Sequence, residues 1–183
     1  MINNCTNMNH IMIVGRNGVG KSTLIRALCA AIPAPIYGVI TKKEPPVPDG
    51  FCPVYIHTFG MPRSYSDENC IGRCKDGCSV ACPQAFDRFA KSMSFPHDGV
   101  ILFDELGFLE SSASQFTDSV LHILDEAPLV ICAVRDKHTP FLDAVRTHPR
   151  ASVYHIDEQN RDALREQLLS ELPALLPPFF AHI

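Results

Sequence analysis

A chain of 183 residues, 46% hydrophobic and 20% charged, is long enough to bury a core without disulfide or metal staples. Its formal net charge of -4 gives no global positive field and no Lys/Arg run marks a basic patch, so nucleic acid is not an expected partner. No apolar run approaches the ~20 residues of a membrane span, and Met1 to Cys5 lack the basic and apolar regions of a signal peptide. The expected location is therefore the cytoplasm, away from membranes, where the eight cysteines are reduced or bind metal.

Ile11 to Val14 is an apolar, β-branched run that stops at Gly15, which reads as a buried strand. A helix is expected over Lys21 to Ala31, with Leu24, Ile25, Leu28 and Cys29 at helical spacing and Pro33 as terminator. Ile36–Thr41 and Pro53–Phe59 read as strands of a hairpin joined through the proline-rich Lys42–Gly50 segment. Met61 to Pro83 shows no clear period, and residues 66–83 read as an irregular, cysteine-containing insertion.

Beyond it, helices are expected over Gln84–Met93, Ser114–Glu126, Pro140–Thr147 and Arg161–Leu172. Strands are expected over Gly99–Phe103, Leu129–Val134 and Ser152–Ile156. The tail, residues 173–183, is apolar and proline-rich and is expected to pack on the surface. Alternating helices and solidly apolar strands predict one α/β domain, with a mostly parallel sheet covered on both faces.

Gly15-Arg16-Asn17-Gly18-Val19-Gly20-Lys21-Ser22, followed by Thr23, matches the phosphate-binding loop pattern between a strand and a helix. Glycines let successive amides turn inward toward phosphate oxygens, and the following helix adds its positive end. Lys21 is expected at the β- and γ-phosphates, and the Ser22 hydroxyl on magnesium. The apolar strand at Val100–Phe103 ends in Asp104-Glu105, which places two carboxylates at the sheet's carboxyl edge, where ligands bind. Asp104 is the expected second magnesium ligand, acting through water. Glu105 is then placed to orient or deprotonate an attacking water.

These residues resemble the THEP-type (cancer-related) nucleoside-triphosphatases. The resemblance rests on Gly20-Lys21-Ser22-Thr23-Leu24, Gly38-Val39-Ile40-Thr41, Asp104-Glu105-Leu106-Gly107, Val134-Arg135 and Asn160-Arg161-Asp162, in that order over nearly the whole chain. It implies a three-layer, RecA-like P-loop fold with a peripheral β-hairpin, and magnesium-dependent hydrolysis of ATP, GTP and other triphosphates with loose base preference. It also implies that the segment from Leu106 and Gly107 to Glu110 lies near the nucleotide. Arg135 is then expected near the γ-phosphate, and Asn160-Arg161 near the base or at a helix cap. The sequence departs from the family at Lys42-Lys43-Glu44-Pro45, so no role carries over there.

Cys70, Cys74, Cys78 and Cys82 recur every four residues. Four thiolates suffice for zinc or an iron–sulfur cluster, although usual zinc sites have tighter pairs. Small buried residues or loop thiols are the competing reading. Two functional alternatives follow: a nucleoside or nucleotide kinase, and a triphosphate-driven metal- or redox-linked switch that uses Cys70–Cys82. The few scattered arginines of Met61–Lys91 disfavour an Arg-rich kinase lid, and Arg135-Asp136-Lys137-His138 does not supply a guanine-specific motif.

Overall fold

The computed structural model describes residues 9–176 and Phe179. The chain forms β1 (His10–Gly15), α1 (Lys21–Ala31), β2 (Ile36–Lys43), β3 (Cys52–Thr58), β4 (Cys70–Lys75), β5 (Cys78–Ala81) and α2 (Pro83–Ala90). It continues with β6 (Val100–Leu106), α3 (Ser114–Glu126), β7 (Leu129–Arg135), α4 (Pro140–Arg146), β8 (Ala151–His155) and α5 (Arg161–Leu175). All eight strands share one sheet, ordered β5-β4-β3-β2-β6-β7-β1-β8. β2, β6, β7, β1 and β8 run parallel, while β3, β4 and β5 add antiparallel pairs at one edge.

Strand pleating divides the core. Met12 and Val14 of β1 join Phe103, Phe116, Phe86 and Leu142, so α2, α3 and α4 cover one face. Ile11 and Ile13 join Leu24, Leu28 and Leu168, so α1 and α5 cover the other. Every residue of β1 is buried for that reason, and Ile11–Val14 within it reads as unbroken apolar sequence. Three layers result. No described helix is long and apolar enough to cross a membrane.

The structure corrects two expectations. The stretch read as an irregular insertion contains a hairpin: β4 and β5 pair antiparallel around a tight Asp76-Gly77 turn with φ of 48° and 82°. The last helix also runs past Leu172, with Pro173 inside it and Leu172 and Leu176 buried against the α1 layer. Of the remaining tail, residues 177–178 and 180–183 lie outside the described residues.

β6 runs beyond Phe103 and carries Asp104 and Glu105 within the strand. Between Phe103↔Cys132 and Leu106↔Val134 its register against β7 shifts by one residue. The bulge falls on the two carboxylates, and such an extra residue re-aims side chains at a strand end.

Candidate active site

The parallel order places the ends of β1, β6 and β7 side by side at the carboxyl edge of the sheet. After β1 the loop passes through Gly18 and Gly20 at φ of 82° and 109°, a region closed to most side chains. The Gly20 carbonyl accepts from Thr23 N and Leu24 N at 3.0 Å each, which starts α1. No acidic residue occupies the first turn of α1, so nothing offsets its positive end. Lys21 is buried beneath the loop, its Nζ donating to Gly15 O and Arg16 O at 2.7 Å each. Burial lowers its pKa, and the Glu105 carboxylate opposes that shift. Arg16, Asn17, Gly18, Ser22 and Thr23 are exposed, whereas Val19 is buried behind the loop.

Asp104 Oδ1 accepts from the Thr41 amide at 2.8 Å and from its hydroxyl at 3.3 Å, which ties β6 to β2. Burial pushes the Asp104 carboxyl up to about 7 against the pull of those hydrogen bonds. Asp104 and Ser22 offer a carboxylate and a hydroxyl, hard oxygen donors of the kind magnesium takes.

Glu105 is ion-paired with Arg135 Nε, and the Arg135 guanidinium lies 6.0 Å from the centre of the Phe108 ring. The bulge thus separates two neighbouring carboxylates: Asp104 faces β2 and Glu105 faces the end of β7. Leu106 is buried in the core, and the Gly107 amide donates to Glu110 Oε2 at 3.0 Å. Leu106 therefore presents no side chain to the site, while Gly107 lines its cavity.

Two features escaped the sequence reading: the burial of Glu110, which the resemblance places near the nucleotide only as part of a segment, and the clamp formed by Arg146. Glu110 is only 4% exposed, and burial pushes its carboxyl up to about 7. A single acid amid apolar and serine residues gives no sequence signal for such burial. Arg146 on α4 donates to Arg135 O at 3.0 Å and to Lys137 O at 2.5 Å, and pairs with Asp143 Oδ1 at 2.6 Å. It clamps the turn that carries Arg135.

Two cavities flank the loop and share no lining residue. One, about 560 Å³, lies between the loop and the β8–α5 connection, lined by Gly15, Arg16, Asp136, His155 and Gln159 among others. Asn160 shapes that connection by accepting from Asp157 N at 2.9 Å and donating to His155 O at 2.9 Å. Although Asn160 stands at the N-cap position of α5, its side chain makes no cap bond to the helix. Arg161 approaches the loop, its Cδ lying 3.8 Å from where a Cβ on Gly20 would be. The other cavity, about 400 Å³, is lined by Asn17, Thr41, Glu105, Glu110 and Arg135, and is walled by the β4–β5 hairpin.

The second metal site is overturned. Among the described residues no group of three or more His, Cys, Asp or Glu side chains can hold a metal ion. Cys70 and Cys74 share β4, and four residues of strand span roughly 13 Å, beyond any shared ion. Cys78 and Cys82 lie on or beyond the returning strand. Cys70, Cys74, Cys78 and Cys82 are all free thiols.

Similarity to known proteins runs the length of this architecture. A family model described as NTPase matches residues 10–169. The nucleoside-triphosphatase THEP1 of Thermotoga maritima is 25% identical over 170 residues, covering 88% of this chain and 94% of that protein. THEP1 of Thermotoga petrophila is 26% identical over 167 residues, covering 87% and 90%. The crystal structure of THEP1 from the hyperthermophile Aquifex aeolicus superposes with a TM-score of 0.64 at 21% identity, covering 89% of this chain and 98% of that one. That likeness is one of fold, and it agrees with the three-layer P-loop arrangement. With the loop, the acidic strand end and the family match in one continuous chain, the protein belongs to the NTPase family that contains the THEP-type nucleoside-triphosphatases.

Proposed function

We propose that this single domain hydrolyses nucleoside triphosphates to diphosphate and phosphate in the cytoplasm, with magnesium and with loose base preference. The observation that carries this reading is the interaction of Lys21, Glu105 and Arg135 at the ends of three adjacent strands, with Asp104 beside Glu105 on β6. The relatives named nucleoside-triphosphatase THEP1 support the same reaction class.

In this mechanism the amides of Gly15–Ser22 and the α1 N-terminus bind the phosphates, and Lys21 bridges the β- and γ-oxygens. Ser22 and Asp104 would hold magnesium, which would supply charge neutralisation for the phosphates. Glu105 orients a water and accepts its proton, while Arg135, released from Glu105, turns toward charge building on the γ-phosphate. Gly107 and Glu110 keep the β6 bulge in place through their hydrogen bond. The base occupies the cavity beside the β8–α5 connection. Its volume of about 560 Å³ has room for a purine, so ATP and GTP are both expected to be accepted there.

A panel of ATP, GTP, CTP and UTP with magnesium is expected to give phosphate release from all four, lost on chelation. Lys21→Ala is expected to lower kcat/KM by at least ~100-fold. Absence of release by the wild-type protein would overturn the proposal. Arg146→Gln is expected to lower kcat roughly tenfold while triphosphate affinity is retained, because a loosened turn misplaces Arg135. Steady-state kinetics beside a binding titration separates the two, and an unchanged kcat would show that the turn holds its shape without the clamp.

A further inference from the structure

We infer that the cavity of about 400 Å³ beyond Glu105 is an acceptor subsite for a nucleoside monophosphate, to which the protein transfers the γ-phosphoryl group. This inference rests on the donor site proposed above and adds a second substrate to it.

Size is the first argument. A hydrolytic water occupies ~30 Å³. A space of about 400 Å³ falls instead in the ~300–1,000 Å³ range of small-molecule sites.

Position is the second. Arg16 lines the cavity assigned to the donor base and Asn17 lines this one, so the crest of the phosphate loop divides them. A triphosphate laid along the loop with its base on one side turns its γ-phosphate toward the other. An acceptor in this cavity then faces the γ-phosphorus from the side away from the leaving diphosphate, as in-line transfer requires.

Chemistry is the third. Lys43 from the end of β2 and Lys137 from the β7–α4 turn line the cavity. Neither ammonium has a hydrogen-bond or ion-pair partner among the described residues. Lys75 is different, because its Nζ donates to Asp49 O at 2.9 Å. Arg135 and Glu105 line the same cavity as a pair, so together they add no net negative charge to it. Two uncommitted ammonium groups suit a phosphate dianion. Val54, Ile71 and Leu109 and the Phe108 ring provide an apolar wall for a flat base. The β4–β5 tip, with Cys78 and Ser79, closes the outer side. The cysteine-rich hairpin thus forms a wall of the site, the place it occupies without binding metal.

The transfer balances with no further reactant. A phosphate oxygen of the monophosphate attacks the γ-phosphorus, and the bond from that phosphorus to the β–γ bridging oxygen breaks. Donor and acceptor both leave as diphosphates. The attacking oxygen is already anionic, so no proton has to be removed.

The test uses the full-length protein loaded with a non-hydrolysable β,γ-imido triphosphate, which fills the loop, titrated with AMP, CMP, GMP and UMP. One monophosphate is expected to bind per chain. Lys43→Ala and Lys137→Ala are each expected to weaken it roughly tenfold. In turnover with magnesium and γ-labelled ATP, saturating monophosphate is expected to move label into a nucleoside diphosphate, and both substitutions to lower the ratio of labelled diphosphate to phosphate. No monophosphate bound to the loaded protein, or label appearing only in inorganic phosphate, overturns the inference. Phosphate release measured without monophosphate scores the hydrolytic reading separately, so the failure of one is distinguishable from the failure of the other.

Discussion

Glu105→Gln is expected to lower kcat for triphosphate hydrolysis by about 10²–10⁴-fold, the range for loss of a general base, with triphosphate still bound. The separation of kcat from binding follows from the geometry. Glutamine has the size of glutamate, and its amide oxygen can still accept from Arg135 Nε, so the bulge on β6 keeps its local partner. What it cannot do is take a proton from water. Lys21→Ala acts at another step, because it removes the cation held beneath the phosphate loop and so weakens ground-state binding as well. Single-turnover phosphate release with a parallel binding titration reads the difference. A wild-type rate in Glu105→Gln would pass the role to Glu110, the other carboxylate lining the same cavity, which burial holds at about 7. Glu110 is the weaker candidate because its Oε2 is engaged by the Gly107 amide.

The parallel half of the fold was legible because strands covered on both faces leave solid apolar runs. Ile11–Val14, Val100–Phe103 and Leu129–Val134 are all buried, and each reads as a strand. The phosphate loop was legible because its chemistry lies in one contiguous segment. The β4–β5 hairpin was not. Arg73 and Lys75 project to an exposed face, and Gly72 interrupts the apolar pattern, so neither strand shows a clean alternation. The Asp76-Gly77 pair is an ordinary hairpin signal, but the four-residue cysteine period overlies it and does not show the two-residue alternation of a strand.

Side-chain partners were harder to read than elements, because they join distant parts of the chain. Asp104 meets Thr41 across a separation of 63 residues, and Glu105 meets Arg135 across 30. Nothing local to either carboxylate encodes which one faces β2 and which faces β7. The bulge decides that, and it exists only as a register between two strands. Asn160 makes the same point from the other side: its position before α5 suggests a cap, but its side chain bonds to Asp157 and His155 and so shapes the donor-base cavity.

Replacing His10 by alanine is expected to destabilise the fold by about 3–5 kcal/mol at pH 7. His10 is fully buried at the start of β1. Its Nδ1 accepts from Val130 N at 3.0 Å and its Nε2 donates to Leu124 O at 2.7 Å, so one neutral tautomer joins β1, β7 and the end of α3. Alanine strands both backbone groups and opens a cavity. Burial lowers the His10 pKa from 6.5 to about 4, with Arg150 and His148 also opposing charge and the Leu124 carbonyl and Asp125 favouring it. The unfolded chain therefore binds the proton more readily than the folded one. The stability due to neutral His10 is complete above about pH 6.5 and is lost as pH falls toward 4, amounting to about 3 kcal/mol over that window. Asp104 and Glu110 act with the opposite sign: their carboxyls are raised to about 7, so acid removes the cost of burying them as anions. Acid titration of the wild-type protein alone mixes these effects. The difference in unfolding free energy between wild type and His10→Ala isolates the histidine, and it is expected to shrink steadily between pH 7 and pH 4.5 in urea titrations. A difference that stays constant over that range would mean that His10 binds its proton equally in the folded and unfolded chains, and one that grows toward low pH would mean that His10 carries its proton in the folded state, with Val130 N–H bonded elsewhere.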